Sequence, residues 1–335
     1  MDEQETEATR QKYIEAMAPL FLPDDPVSND IIKYLASLLR IVGMEDKGWD
    51  PYLESRAILQ DLDGLLQLEL PADRFPEQER TRWRLALLTY SHLVEMDAPY
   101  EVLTNLLRFR LGKGYSPNPY FTFLSEDQKK RFRKSGIYPK QKIEIIKTLS
   151  KDAGLKAGDI FDDFYNNKLR NAISHSDYII SDVEFRVRNG TGAVGAFRIP
   201  LTELNETIMK SHIFMSSFFT LEREARKRFG AMRHRAIPYD AAYKGLMEVL
   251  VDQEDLMCGF KVHWPNASES TYRRTRDGIE MTNCLLDMKH ATIELMVGLY
   301  ARNRGPFSPL VELGGEPQYT KLEGTGEVPK WPETL

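Results

Sequence analysis

The chain has 335 residues, 42% hydrophobic and 28% charged, so it can bury a sizeable core without disulfide or metal staples. Its formal net charge of −5 excludes the basic footprint of a dedicated nucleic-acid-binding domain. Any contact with phosphate must therefore be confined to a local patch.

Apolar residues at Ile31, Ile32, Leu35, Leu38, Leu39 and Val42 recur at helical spacing and predict a helix over 29–42. A long helical pattern begins near Glu77, breaks at Asp97-Ala98-Pro99 and resumes from Tyr100 to Leu111. The GKGYSPNP stretch of 112–119 is turn-rich and reads as a loop. Residues 139–151 form the next predicted helix, with Ile143, Ile146 and Leu149 on one face and Pro139 near its start, where proline is tolerated. A further helix is expected from Asp159 to about Ser174, with Asp162 and Asp163 as partners of its N-terminal dipole.

From Tyr178 the period changes. The run to Arg188 alternates apolar and polar residues, Asn189-Gly190 follows, and a second β-rich run covers 193–199, which predicts a hairpin with a longer Gly-rich loop. Residues 201–229 then form a long helix with Leu204, Ile208, Met215, Phe218 and Phe219 as its core stripe, Thr202 as a cap, and His212 as a satisfied core histidine. After Pro238, short strands over 259–264 and 279–282 and an ambiguous segment at 288–300 suggest a small α/β module. Residues 303–335 are rich in Pro and Gly and read as an irregular tail.

The expected class is therefore mainly α, a helical bundle with an inserted β-hairpin and a small C-terminal α/β module. The expected segments are a helical region at 1–130, a helical core at 131–235 carrying the hairpin at 178–200, the module at 236–302 and the tail. Cys258 and Cys284 form no CxxC pair and are expected as free buried thiols, with no zinc site. The acidic MDEQETE start lacks the regions of a signal peptide, and the apolar stretch 293–300, interrupted by Glu294 and Gly298, is too short to span a bilayer. A cytoplasmic protein without metal or cofactor is expected. No P-loop, GxSxG or HExxH pattern is present and no GxGxxG opens a helix, which argues against nucleotide-driven, zinc and serine chemistry.

The chemistry-bearing segment is YNNKLRNAISHSDY, residues 165–178. On a helix, Phe161, Tyr165, Leu169 and Ala172 share a core face, while Arg170 and His175 lie about 140° apart with Asn167, Asn171 and Ser174 between them. Asn171 and His175 are i and i+4 neighbours. RNA cleavage without metal needs a base for the 2′-hydroxyl proton and a cation for the phosphate. Histidine titrates near neutrality, and arginine stays charged with a fork matched to phosphate oxygens. The competing reading is a charged helix flank with a C-terminal imidazole and no substrate. Asp177 would then cap the turn or pair with Arg170, and Tyr178 would pack at the hairpin start.

The stretch KLRNAISHSDY resembles the signature of HEPN domains, in which an arginine and a polar residue precede a histidine late in a helix. Arg170, Asn171 and His175 occupy those places, and the resemblance covers roughly 139–229. It implies a helical bundle, a homodimer with facing motifs, and metal-independent endoribonuclease activity in antiviral defence or toxin–antitoxin systems, with RNA as substrate and an antitoxin or defence complex as partner. Some members only bind or scaffold. The catalytic candidates are Arg170, Asn171 and His175, and the substrate-contact candidates are Asn167, Lys168, Ser174 and Tyr178. A second match, Arg228 to His234, has Phe229 after the arginine and a helix-breaking Gly230. Three basic clusters, around 129–134, 223–228 and 273–276, read as solvated faces or as local phosphate contacts.

Overall fold

The computed structural model describes residues 1–23, 31–40, 51–187, 196–239, 245–264, 268–275, 278–287 and 292–295. In chain order the helices are α1 (Glu3–Phe21), α2 (Ile31–Leu39), α3 (Pro51–Gln67), α4 (Gln78–Glu95), α5 (Asp97–Arg110), α6 (Glu126–Ser135), α7 (Pro139–Asp152), α8 (Asn167–Ser174) and α9 (Leu201–Gly230). The strands are β1 (Ile179–Ile180), β2 (Glu184–Arg186) and β3 (Arg198–Pro200) before α9, and β4 (Ile237–Tyr239), β5 (Gly245–Val251), β6 (Met257–His263), β7 (Glu269–Thr275), β8 (Gly278–Thr282), β9 (Cys284–Asp287) and β10 (Thr292–Leu295) after it. The protein is mainly helical with small antiparallel sheets. Among the described residues no helix is long and apolar enough to cross a membrane.

Two compact units emerge, each assembled from separated stretches of chain rather than from consecutive segments. The first takes Met1–Pro19, Asp50–Leu103 and Phe123–Thr220. Its core centres on Phe161, whose ring lies 5.2 Å from Phe214, 5.6 Å from Tyr100 and 5.7 Å from Phe164. The expected faces of α7 and α9 point inward: Ile143, Ile146, Leu149, Leu204, Ile208, Met215 and Phe218 are buried, and Phe219 is half-buried.

The predicted helix from 159 to 174 is two elements. A 3-10 turn covers Asp159–Asp163, and α8 starts afresh at Asn167. Asp162 and Asp163 consequently sit outside α8 and pair with Lys147 and Lys12. Where one long first strand was expected after Tyr178, two short ones form. The Ser181 backbone N–H and hydroxyl both donate to the Glu184 carbonyl, at 2.9 and 3.1 Å, folding β1 back on β2. The anticipated return strand is β3, which pairs Phe185 with Ile199. Asn189 and Gly190 lie outside the described residues.

The second unit takes Leu20–Trp49, Thr104–Thr122 and Leu221–Leu335. Its five-stranded sheet runs β4-β5-β6-β7-β8, a meander of consecutive antiparallel pairs. Every described element from Ile237 to Leu295 is a strand, so the expected α/β mixture is corrected to β among the described residues. The sheet's helical cover is α2, from far earlier in the chain, which packs on the central strand β6. Tyr34 of α2 sits 5.4 Å from Phe109 and 5.2 Å from Phe229 and donates to the Phe21 carbonyl at 2.6 Å. Arg274 of β7 donates to the Leu39 and Arg40 carbonyls at the C-terminus of α2, where a cation is favoured. Cys258 is buried and Cys284 half-buried, and both are free thiols.

Candidate functional site

One tyrosine fixes where the motif helix begins. Tyr90 of α4 is fully buried, and its hydroxyl donates to the Phe164 carbonyl at 3.0 Å and accepts the Asn166 N–H at 3.1 Å. Both backbone groups are thereby withdrawn from helical bonding, which breaks the chain between the 3-10 turn and α8. Asn166 then acts as N-cap, its side-chain oxygen accepting from the N–H groups of Lys168 and Leu169, each at 3.0 Å. Leu169, Ala172 and Ile173 bury one face of α8.

The other end closes in a Schellman motif. Asp177 N–H bonds the Ala172 carbonyl at 3.1 Å, and Ser176 N–H bonds Ile173 at 3.0 Å. Ser176 supplies the left-handed residue, with φ of 53°. His175 is the C-cap, exposed, and its ring makes no hydrogen bond or ion pair with any described residue.

Arg170 is held differently. Its side chain is 17% exposed, its Nε pairs with Glu95 at the end of α4, and its Nη1 donates to Asn171 Oδ1 at 2.9 Å. The hydrogen bond to Glu95 raises the Arg170 pKa above its ordinary value against the opposing effect of burial, so the cation is permanent. The Tyr165 phenol lies close by and donates to Asn167 Oδ1 at 3.3 Å. Burial pushes it up to about 12, with Arg170 pulling the other way.

The remaining sequence candidates separate. Asn167 and Lys168 line an open cavity of about 510 Å³ together with Asp162, Asp163, Glu203 and Glu206. That wall is more acidic than basic, and Arg170, Asn171 and His175 do not line it. Ser174 is exposed on α8. Tyr178 stacks on Phe185 at 5.0 Å, and burial raises its phenol above the ordinary value against a smaller opposing effect of Arg84. Asp177 does not pair with Arg170; its Oδ2 is buried without a hydrogen-bond partner. The second sequence match is split by the end of α9 at Gly230, and His234 has a left-handed φ of 75°.

Sequence reasoning passed over Glu95 and Tyr90. Nothing in the local pattern marks a glutamate at a helix end as the anchor of an arginine 75 positions later. Four residues of the first two basic clusters are engaged in ion pairs. Lys129 and Lys130 pair with Glu126 and Asp127, Arg223 with Glu254, and Arg226 with Asp252 and the Met257 carbonyl. No group of three His, Cys, Asp or Glu side chains among the described residues is arranged to hold a metal ion. No family model, curated protein or solved structure matches the chain.

Proposed function

We propose that the C-terminal end of α8 cleaves RNA without a metal ion, as a HEPN-type endoribonuclease. The observation that carries this reading is an exposed imidazole at His175, unpartnered among the described residues, that follows Arg170 and Asn171 on α8, where Glu95 of α4 anchors the guanidinium in a preorganised chain. His175 removes the 2′-hydroxyl proton, the 2′-oxygen bonds to phosphorus, and the bond from phosphorus to the 5′-oxygen breaks. A 2′,3′-cyclic phosphate results, and the departing oxygen takes up a proton to become a 5′-hydroxyl. Arg170, whose Nη2 makes no hydrogen bond to any described residue, stabilises the charge building on the phosphate, and Asn171 fixes the guanidinium. General acid–base catalysis contributes about 10²–10⁴-fold, so electrostatic stabilisation must supply the remainder. Exposed Ser174 and His175 are available for a second copy of the helix, consistent with a helical-bundle homodimer with facing motifs. A role in antiviral defence or toxin–antitoxin function, with a corresponding partner, rests on the resemblance alone.

The test is cleavage of single-stranded RNA by purified protein in EDTA, with His175→Ala and Arg170→Ala alongside. Loss of at least 10²-fold in both variants is expected. Equal activity in wild type and both variants overturns the assignment. A second reading, a non-catalytic binding or scaffold protein of the same kind, is favoured by one observation: the Arg170 charge is already balanced by Glu95 in a mostly buried position. Tight, length-dependent RNA binding without cleavage would select it.

A further inference from the structure

A second concave site lies in the first unit, formed by α1, α3 and α9, and the RNA-cleavage reading makes no use of it. Its volume is about 350 Å³, within the range of small-molecule pockets. The apolar part of its wall comes from Leu59, Met209, Ile213, Met215 and Phe219. The polar part is convergent. Arg10 of α1 reaches across to donate through Nη1 to Ser216 Oγ of α9 at 3.2 Å. The Arg56 guanidinium lies 4.6 Å from the centre of the Phe219 ring, which fixes it against an aromatic wall. His212 Nδ1 lies 3.5 Å from Asp63 Oδ1.

The histidine expected to be a satisfied core residue is thus half-buried and lines a cavity. Burial holds its pKa below the ordinary value, and Asp63 opposes that only in part. The permanent positive charges of the wall are the Arg10 and Arg56 guanidinium groups. The Asp63 carboxylate faces His212, and Glu7, which pairs with Arg10 Nε at 3.4 Å, is 70% exposed and does not line the cavity. A pocket with an apolar floor and two oriented guanidinium groups, set against one carboxylate at Asp63, favours a ligand of matching polarity.

We infer that this cavity binds a small organic anion, an apolar body carrying one carboxylate or phosphate head, with Arg10 and Arg56 on the head and Leu59, Met209 and Ile213 around the body. The guanidinium groups select the charge by paired N–H donors, and the cavity selects the size.

The test is a ligand-observed saturation-transfer NMR titration of the full chain with 2-naphthoate, with phenyl phosphate, and with uncharged 2-naphthamide. Saturable binding of at least one anion is expected, with the amide at least tenfold weaker. Preference between the two anions identifies the head group. Arg56→Gln and Arg10→Gln should each weaken the anion about tenfold or more, and Met209→Trp, which fills the cavity, should abolish binding. Each variant is compared at a melting temperature within a few degrees of wild type, and Arg56→Gln and Met209→Trp serve as alternatives should Arg10→Gln unfold. Equal binding of amide and anions, no saturable binding of either anion, or binding unaffected by Arg56→Gln and Met209→Trp overturns the inference.

Discussion

Removing Glu95 tests whether the motif arginine is anchored as described. In Glu95→Gln the Arg170 cation keeps Asn171 but loses its charged partner in a position where its side chain is only 17% exposed. Breaking a fully buried ion pair costs about 3–5 kcal/mol, and an exposed pair contributes about 0.2–1 kcal/mol. Glu95 is 38% exposed, so solvent screens part of the loss and the expected cost lies between the two ranges, about 1.5 kcal/mol. For a unit of this size that is about 3–6 °C in melting temperature. Arg170→Gln alone should cost a similar amount, and the double variant should cost little more than either single one. The assay is a double-mutant cycle by urea unfolding at constant m-value. A coupling energy of about 1–1.5 kcal/mol is expected, and additivity within about 0.3 kcal/mol would refute the anchoring.

Tyr90→Phe leaves the Phe164 carbonyl and the Asn166 N–H without their buried partner and should cost about 1–3 kcal/mol in urea unfolding; a loss under about 0.5 kcal/mol would show that α8 does not depend on this hydroxyl. Ser176→Gly relieves the left-handed strain at the end of α8. Set against glycine's greater unfolded-state entropy, the net gain should be about 0.5–1 kcal/mol, and a destabilised variant would count against the motif. In the second unit, His263 contacts Glu248 at 3.3 Å and Glu269 at 3.1 Å, and its hydrogen bond lowers the Glu248 pKa below the ordinary 4.5. That contribution is full above the unfolded value and is lost as pH falls through the lower folded value. The gap in melting temperature between wild type and Glu248→Gln should therefore narrow below about pH 4.5, and a gap constant from pH 7 to 3 would contradict it.

Gly154 and Ser176 show what the sequence could reveal. Both end a helix in the same Schellman geometry, with φ of 69° and 53°. Glycine advertises such a stop, and the end of α7 was readable to within a residue; a serine carries no such signal. Asn166 was a legible N-cap, because asparagine is favoured there. The expected continuous helix passed over it because Phe161, Tyr165, Leu169 and Ala172 keep helical spacing across the break. The hydroxyl that stabilises the break comes from Tyr90, far away in sequence.

Core stripes on α7 and α9 followed from periodicity, since a buried face needs apolar residues whatever covers it. Which element covers it does not follow. The packing of α2 on β6 and the pairing of Glu95 with Arg170 join residues with no shared local pattern. At the site, the residue types were legible in 165–178. Their division into an anchored Arg170 and an exposed His175 was not, because it depends on that distant carboxylate.

The central claim is that one helix end brings a proton acceptor and a fixed cation to the same phosphodiester. The most direct measurement is mass spectrometry of the fragments that wild type and His175→Ala release from a defined RNA in EDTA. The account predicts 2′,3′-cyclic phosphate and 5′-hydroxyl termini from wild type and none from the variant. Identical fragments from both proteins, or 5′-phosphate termini, would contradict it.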